Sequence, residues 1–267
     1  MTLSSAFLGL FKNPTWSFLA SDNAETTSAE GDGSTLRRQT VTVLTNVAHV
    51  SVPFITVFLV VHLSAPALAN FGGSSLSSNV MLLGREYYQT AFGERYLLFL
   101  PLAAHVASSI TKRIIIPHSA SPRKITSTLS LAAYSTLLIF LPIHFYTHRV
   151  FPADPSPPIF AVGPSEVDYE FVKTGLARFP WRSWVLYGGL VGCMMLHAVE
   201  GAQIIQASRF ASRKFRMRSR TRKIVAGVAA VPILAGLWAV SKEPLMVFAS
   251  LAERYEAVFT RSWVYRF

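Results

Sequence analysis

Charge and cysteine are what this chain has least of. Charged residues make up 15% of its 267 positions, where soluble domains carry about a quarter. Because 51% of the sequence is apolar, that shortfall excludes an ordinary soluble domain and points to a membrane protein. The single cysteine, Cys193, sits in an apolar run and excludes both a disulfide framework and a cysteine-rich metal site. There is no nucleophile with an adjacent base, no phosphate-binding glycine loop and no metalloprotease helix. The chain is therefore not expected to be an enzyme, and any catalysis would rest on a borrowed cofactor. The start, MTLSSAFLGLFKNPTWSF, has no basic stretch before its short apolar patch, and acids follow it. It fits neither a secretory signal nor an arginine-rich transit peptide, so targeting is expected to lie in the spans.

What is there in abundance is long apolar runs. Five occur, near 41–66, 95–117, 125–150, 183–206 and 223–248, each longer than the roughly 20 residues that cross about 30 Å of hydrocarbon. The fold class is all-α, with five transmembrane helices. Residues 1–40 turn rich in Ser, Thr, Asp, Glu and Gly and are read as a disordered tail; 41–251 form the membrane domain and 252–267 a short C-terminal tail. The proline-rich connection PADPSPPIFAVGP, 152–164, is read as a stiff loop, followed by Trp181 and Trp184 as interfacial anchors.

Bases outnumber acids, 25 to 14, and they are unevenly placed. The N-terminal segment and the loops after the second and fourth spans hold most of the unopposed Lys and Arg, which predicts a cytosolic N-terminus. The densest run, RFASRKFRMRSRTRK, offers Arg209, Arg213, Lys214, Arg216, Arg218, Arg220, Arg222 and Lys223 with no acid among them. These form a candidate surface for anionic lipid or a partner, each base worth about 1 kcal/mol near an anionic leaflet. Phe210, Phe215 and Met217 are interleaved as inserting groups. The same run also serves as a topology determinant, and without a nucleic-acid fold it does not point to nucleic acid.

The spans carry polar groups that hydrocarbon penalises. In the stretch GREYYQTAFGERYLLFLPLAAHVASSITKR, Pro101, His105, Ser108 and Lys112 recur on one helical face. With Ser109, and with His197, Glu200 and Gln203 of the fourth span, they form a candidate polar intramembrane seam. His49, His62, His105 and His197 are candidate ligands for haem b, with Glu200 a candidate acceptor for a ligand's second nitrogen. Interhelical hydrogen bonding is the alternative for each. His144 and His148 share a face but have no third ligand nearby in sequence, so no metal beyond haem iron is expected. Gly188, Gly189, Gly192 and Gly201 offer a surface for close helix approach.

Three segments, His62 to Ala65, LLGREYYQTAFGERYLLFLPLAAHVASSITKR from Leu82 and MMLHAVEGAQII from Met194, resemble the fungal mitochondrial outer-membrane adaptor family of Mdm-ten-complementing protein one. The resemblance implies a five-span bundle similar to the transmembrane subunits of succinate dehydrogenase and fumarate reductase. It also implies a multi-pass protein of the mitochondrial outer membrane that recruits the bridge-like lipid-transfer protein vacuolar protein sorting thirteen. Lipid homeostasis and lipid scrambling at contact sites would be its role, with membrane lipids as ligands. That family recruits its partner through a Pro-x-Pro motif in the N-terminal tail, whereas this tail has only Pro14, and Pro155 to Pro157 falls on the opposite face. The fifth span has no histidine, so at most one haem is implied, on His197 with His49, His62 or His105.

Overall fold

The computed structural model describes residues 28–116, 123–209 and 216–266. Its helices are α1 (Ser28–Tyr88), α2 (Gly93–Ile115), α3 (Thr128–Ala153), α4 (Tyr169–Arg178), α5 (Pro180–Arg209), α6 (Ser219–Ser241), α7 (Ala249–Arg261) and α8 (Trp263–Arg266). Helices α1, α2, α3, α5 and α6 are long and apolar enough to cross a membrane, so the chain is an all-α membrane protein. Helix begins at Ser28, inside the segment expected to be a disordered tail; residues 1–27, with Phe7, Phe11, Pro14 and Trp16, lie outside the described residues.

α1 is two arms. At Gly72 and Gly73 the backbone leaves helical geometry, Gly73 taking φ 59°, a conformation that penalises a Cβ. The second arm runs back along the first. A Cβ on Gly84 would sit 3.0 Å from Val61, the Tyr88 ring meets Phe58 edge-on at 5.1 Å, and Met81 packs on the core cluster that includes Ala65 and Ala69. The segment that ends in GREYY is thus folded against the first span. Glu243 fixes the reversal by accepting the Ser74 amide at 2.9 Å and the Ser74 hydroxyl. Its carboxylate caps the second arm's N-terminus, where unpaired amides and the helix dipole favour negative charge.

Helices α2 and α3 widen to π-helical hydrogen bonding over Gly93–Phe99 and Thr136–Phe140. Each stretch lies just before a proline, Pro101 or Pro142, which has no amide to donate and whose ring displaces the carbonyl four residues back. α1 and α6 cross closely: a Cβ on Gly236 would lie 1.7 Å from the Pro66 carbonyl oxygen, so only glycine permits the contact.

One end of the bundle is covered by a folded cap. The residues expected as a C-terminal tail form α7 and α8, whose Tyr255, Val258, Phe259 and Tyr265 bury against Ile159 and Val162 of the proline-rich loop and Phe171 of α4. Phe171 and Phe259 stack at 4.5 Å, and both are fully buried. Ion pairs and carbonyl contacts surround this core: Arg178 with Glu256 at 2.7 Å, Arg254 with Glu166 at 3.4 Å, Arg261 with Asp154, and Arg85 with the carbonyls of Pro164 and Val167. Hydrogen bonds from the Ser156 hydroxyl and amide, then Arg261, hold the Asp154 carboxyl at about 2. That depression favours the folded cap above the ordinary carboxylate range, and the advantage is lost as pH falls through about 2. Trp181 is exposed as an anchor should be, but Trp184 packs inward, 6.1 Å from Trp238.

Phe259→Ala should destabilise the protein by about 3–5 kcal/mol, because the cavity it leaves is ringed by aromatics that cannot collapse together. A melting temperature in detergent indistinguishable from that of the parent would show that the cap core does not hold the bundle.

Candidate functional site

The polar groups of the spans fall into two clusters at different depths. In the first, His105 of α2 and His197 of α5 face each other with ring centroids 6.0 Å apart and planes 89° apart. His105 Nδ1 lies 3.0 Å from the Ala48 carbonyl oxygen and 3.2 Å from Ser51 Oγ. The Ser51 hydroxyl donates its own proton to that carbonyl at 2.8 Å, so both neighbours of Nδ1 accept. The proton therefore resides on Nδ1, and the Nε2 lone pair is left available. His197 Nδ1 is buried without a protein partner. Nearer the helix ends, Ser108 is buried, Ser109 is half-buried and Lys112 donates to Thr45 Oγ1 at 3.4 Å. His49 is half-buried on the same arm as Ala48 and Ser51.

Glu200 takes a different role from the one its spacing suggested. It is 7% exposed and pairs with Arg222 of α6 at 2.9 Å, so it is no acceptor for a histidine. Arg222 also donates to the Met217 carbonyl at 2.7 Å, and the Met217 amide donates to Gln203 Oε1 at 3.0 Å. Gln203 completes this tie through a 2.9 Å bond to Gln206. Glu200 and Gln203 therefore bind the α5–α6 connection back onto α5. Arg222 is withdrawn from the basic surface, whereas Arg216, Arg218, Arg220 and Lys223 are exposed on it. Phe210, Arg213, Lys214 and Phe215 lie outside the described residues, as does the side chain of Arg209.

The second cluster went unrecognised in the sequence. His62 of α1 lies 5.9 Å from His144 of α3, which stacks on His148 at 4.4 Å. His148 Nε2 and the Tyr187 hydroxyl are 3.1 Å apart, and His62 Nδ1 lies 3.4 Å from the Tyr88 hydroxyl. A small cavity beside His144 and His148 is lined by Thr147, whose hydroxyl has no protein partner. The third imidazole for the His144–His148 pair comes from a distant helix, a contact that spacing along one chain cannot show. Even so, among the described residues no group of three or more His, Cys, Asp or Glu is arranged to hold a metal ion. His62 is thus removed as a partner for His197. Of the α5 glycines, Gly189 meets Phe140, while a Cβ on Gly188, Gly192 or Gly201 would touch nothing within 4 Å.

Fold and site together define an all-α, multi-pass membrane protein with a polar interior and one capped end. Residues 139–253 match the family model of the MDM10-complementing protein 1 transmembrane domain, which bears out the resemblance read from the sequence. The match contains the MMLHAVEGAQII segment; the two earlier segments precede it. No curated protein and no solved structure matches the chain.

The Glu200–Arg222 pair is open to a double-mutant cycle. Glu200→Gln and Arg222→Leu should each cost up to about 3 kcal/mol, since each strands a partly buried charge, and the double variant should cost less than their sum. Strict additivity in thermal unfolding would show that the two charges are not coupled.

Proposed function

We propose that the chain is a multi-pass adaptor of the mitochondrial outer membrane, with its basic end in the cytosol, that recruits a bridge-like lipid-transfer protein and passes lipid headgroups between leaflets. It acts without catalytic residues. The family match and the charge asymmetry support the setting. The observation that carries the lipid-handling step is His197: its Nδ1 is buried inside the spans without a protein partner, on a ring whose centroid lies 6.0 Å from that of His105. Leaving such an atom unpaired costs about 1–3 kcal/mol, so the site favours a polar guest, either water or a headgroup. A hydrated seam lowers the barrier to flipping by replacing headgroup hydration along the crossing.

His105→Leu together with His197→Leu should slow lipid flipping in liposomes about tenfold, the change produced by roughly 1.4 kcal/mol of lost solvation at the barrier. Unchanged flipping in a variant that keeps the parent's melting temperature would refute the seam.

A b-type haem reading is favoured by one observation, the pairing of these same two rings with the tautomer of His105 fixed by Ala48. His105 and His197 would hold the iron, and the haem would supply one-electron chemistry. The fit extends to one haem only, since His62 is engaged elsewhere. Purified protein with no Soret band after haem addition would eliminate this reading.

A further inference from the structure

Among the described residues, the ion pairs are confined almost entirely to the capped end. Arg149 with Glu94, Lys173 with Glu170 and Glu243, Arg178 with Glu256, Arg254 with Glu166 and Arg261 with Asp154 all lie there. At the basic end, Glu200 is the one carboxylate among the described side chains, and Arg222 occupies it. No carboxylate among the described residues reaches Lys112, Arg113 or Arg123. These three are nevertheless organised. Lys112 is half-buried and turned toward Thr45 on the neighbouring helix instead of outward to solvent. Arg113 donates to the Arg123 carbonyl at 3.2 Å, which ties the start of the next segment to the end of α2, and lies 5.8 Å over the Tyr134 ring. The same bond brings Arg123 to the end of α2 that carries Lys112.

Cations gathered by helix packing and a backbone clip repel one another, and a partly buried ammonium without a counterion is costly. That arrangement is retained at low cost only if an anion joins it. The position selects the anion, because Lys112 closes a membrane-spanning helix, at the depth where lipid phosphates lie. Lys112 is also one helical turn from Ser108 and two from His105, so an anion held there stands at the mouth of the seam.

We propose that Lys112, Arg113 and Arg123 form a binding site for the phosphate of an anionic phospholipid headgroup, with Thr45 as a neutral neighbour. This deepens the lipid-handling reading and rests on it for biological meaning, but its test does not depend on flipping. Arginine supplies two parallel donors to phosphate oxygens and lysine a point charge, so a phosphomonoester should bind more tightly than a zwitterionic phosphodiester.

The test is the melting temperature of the full chain in detergent, titrated with dioctanoyl phosphatidic acid. The lipid should raise the melting temperature, because it binds the folded chain. Lys112→Gln and the exposed-site variant Arg123→Gln should each weaken the apparent affinity about fivefold, and Lys112→Arg should retain it. Lys242→Gln removes a cation 4.0 Å over Trp238 at the other end and should have no effect. Equal stabilisation by dioctanoylglycerol, which has no phosphate, would overturn the proposal. Equal stabilisation by inorganic phosphate alone would replace the lipid by a free anion and also overturn it. Should Lys112→Gln fail to fold, unchanged affinity in Arg123→Gln overturns the site by itself. Because no bilayer is present, a protein that binds but does not flip lipid sinks only the scrambling reading, and one that flips without binding sinks only this site.

Discussion

Lys173 is 3% exposed, and the way its ammonium is neutralised determines how the capped end is built. Glu170, one turn earlier on α4, binds it at 2.5 Å, and Glu243, just past α6, lies at 3.6 Å. Glu243 also caps the second arm of α1 through Ser74, and Glu170 accepts the Met246 amide at 2.8 Å. One buried charge thus joins the reversal at Gly73, the short helix α4, the end of α6 and the linker to α7. Removing Lys173 would leave two carboxylates facing each other without a counterion, a penalty of about 3–5 kcal/mol, whereas either carboxylate alone still neutralises it. The reversal places Tyr88 on His62, and α4 places Phe171 on Phe259 and beside His148. The second histidine cluster is consequently a product of the same network.

The two ends of the bundle follow opposite electrostatic rules. At the capped end the charges are spent internally, on partners that hold loops and short helices to the spans. At the basic end they are left over, because the described residues supply Glu200 alone and Arg222 takes it. A surplus of this kind contributes little to folding. It becomes useful only against something negative outside the chain, and a leaflet rich in anionic lipid is such a surface.

Much of this was legible in the sequence. Apolar run lengths located all five spans, and the polar residues marked within them include His105 and His197, whose rings meet at 6.0 Å. Glu200 reads in the sequence as a seam residue and a candidate acceptor for a histidine, and its pairing with Arg222 could not be read, because Arg222 lies 22 residues away, across a connection whose path no local rule fixes. The fold-back of α1 was hidden because residues 74–88 have too few apolar positions to register as a span, and Gly72–Gly73 reads equally well as a simple kink. The cap was missed for a related reason. α7 carries Glu253, Arg254, Glu256 and Arg261 among its 13 residues, so its apolar face is masked when the stretch is read as a line. What that face buries against, Ile159, Val162 and Phe171, comes from a loop and a ten-residue helix that look polar one at a time.

The same geometry narrows what the seam can do. Glu200 and Gln203, attractive as headgroup ligands when read from the sequence, have their hydrogen-bonding capacity committed to Arg222, Met217 and Gln206. They stabilise the loop that carries the bases, and a guest would have to break those bonds to use them. Of the seam residues, those with capacity to spare are His105 at Nε2, His197 at Nδ1 and the Lys112 ammonium, whose contact to Thr45 Oγ1 is a long one at 3.4 Å. They lie toward the basic end, whereas the capped half of the interior holds His62, His144, His148 and aromatic rings in mutual contact, with a small cavity beside His144 and His148. A headgroup entering from the basic end therefore meets a charge first, an unsatisfied imidazole next and then a packed aromatic plug. Full passage to the other leaflet requires either that this plug hydrate or that the headgroup leave the interior and finish the crossing along the outer face of the bundle.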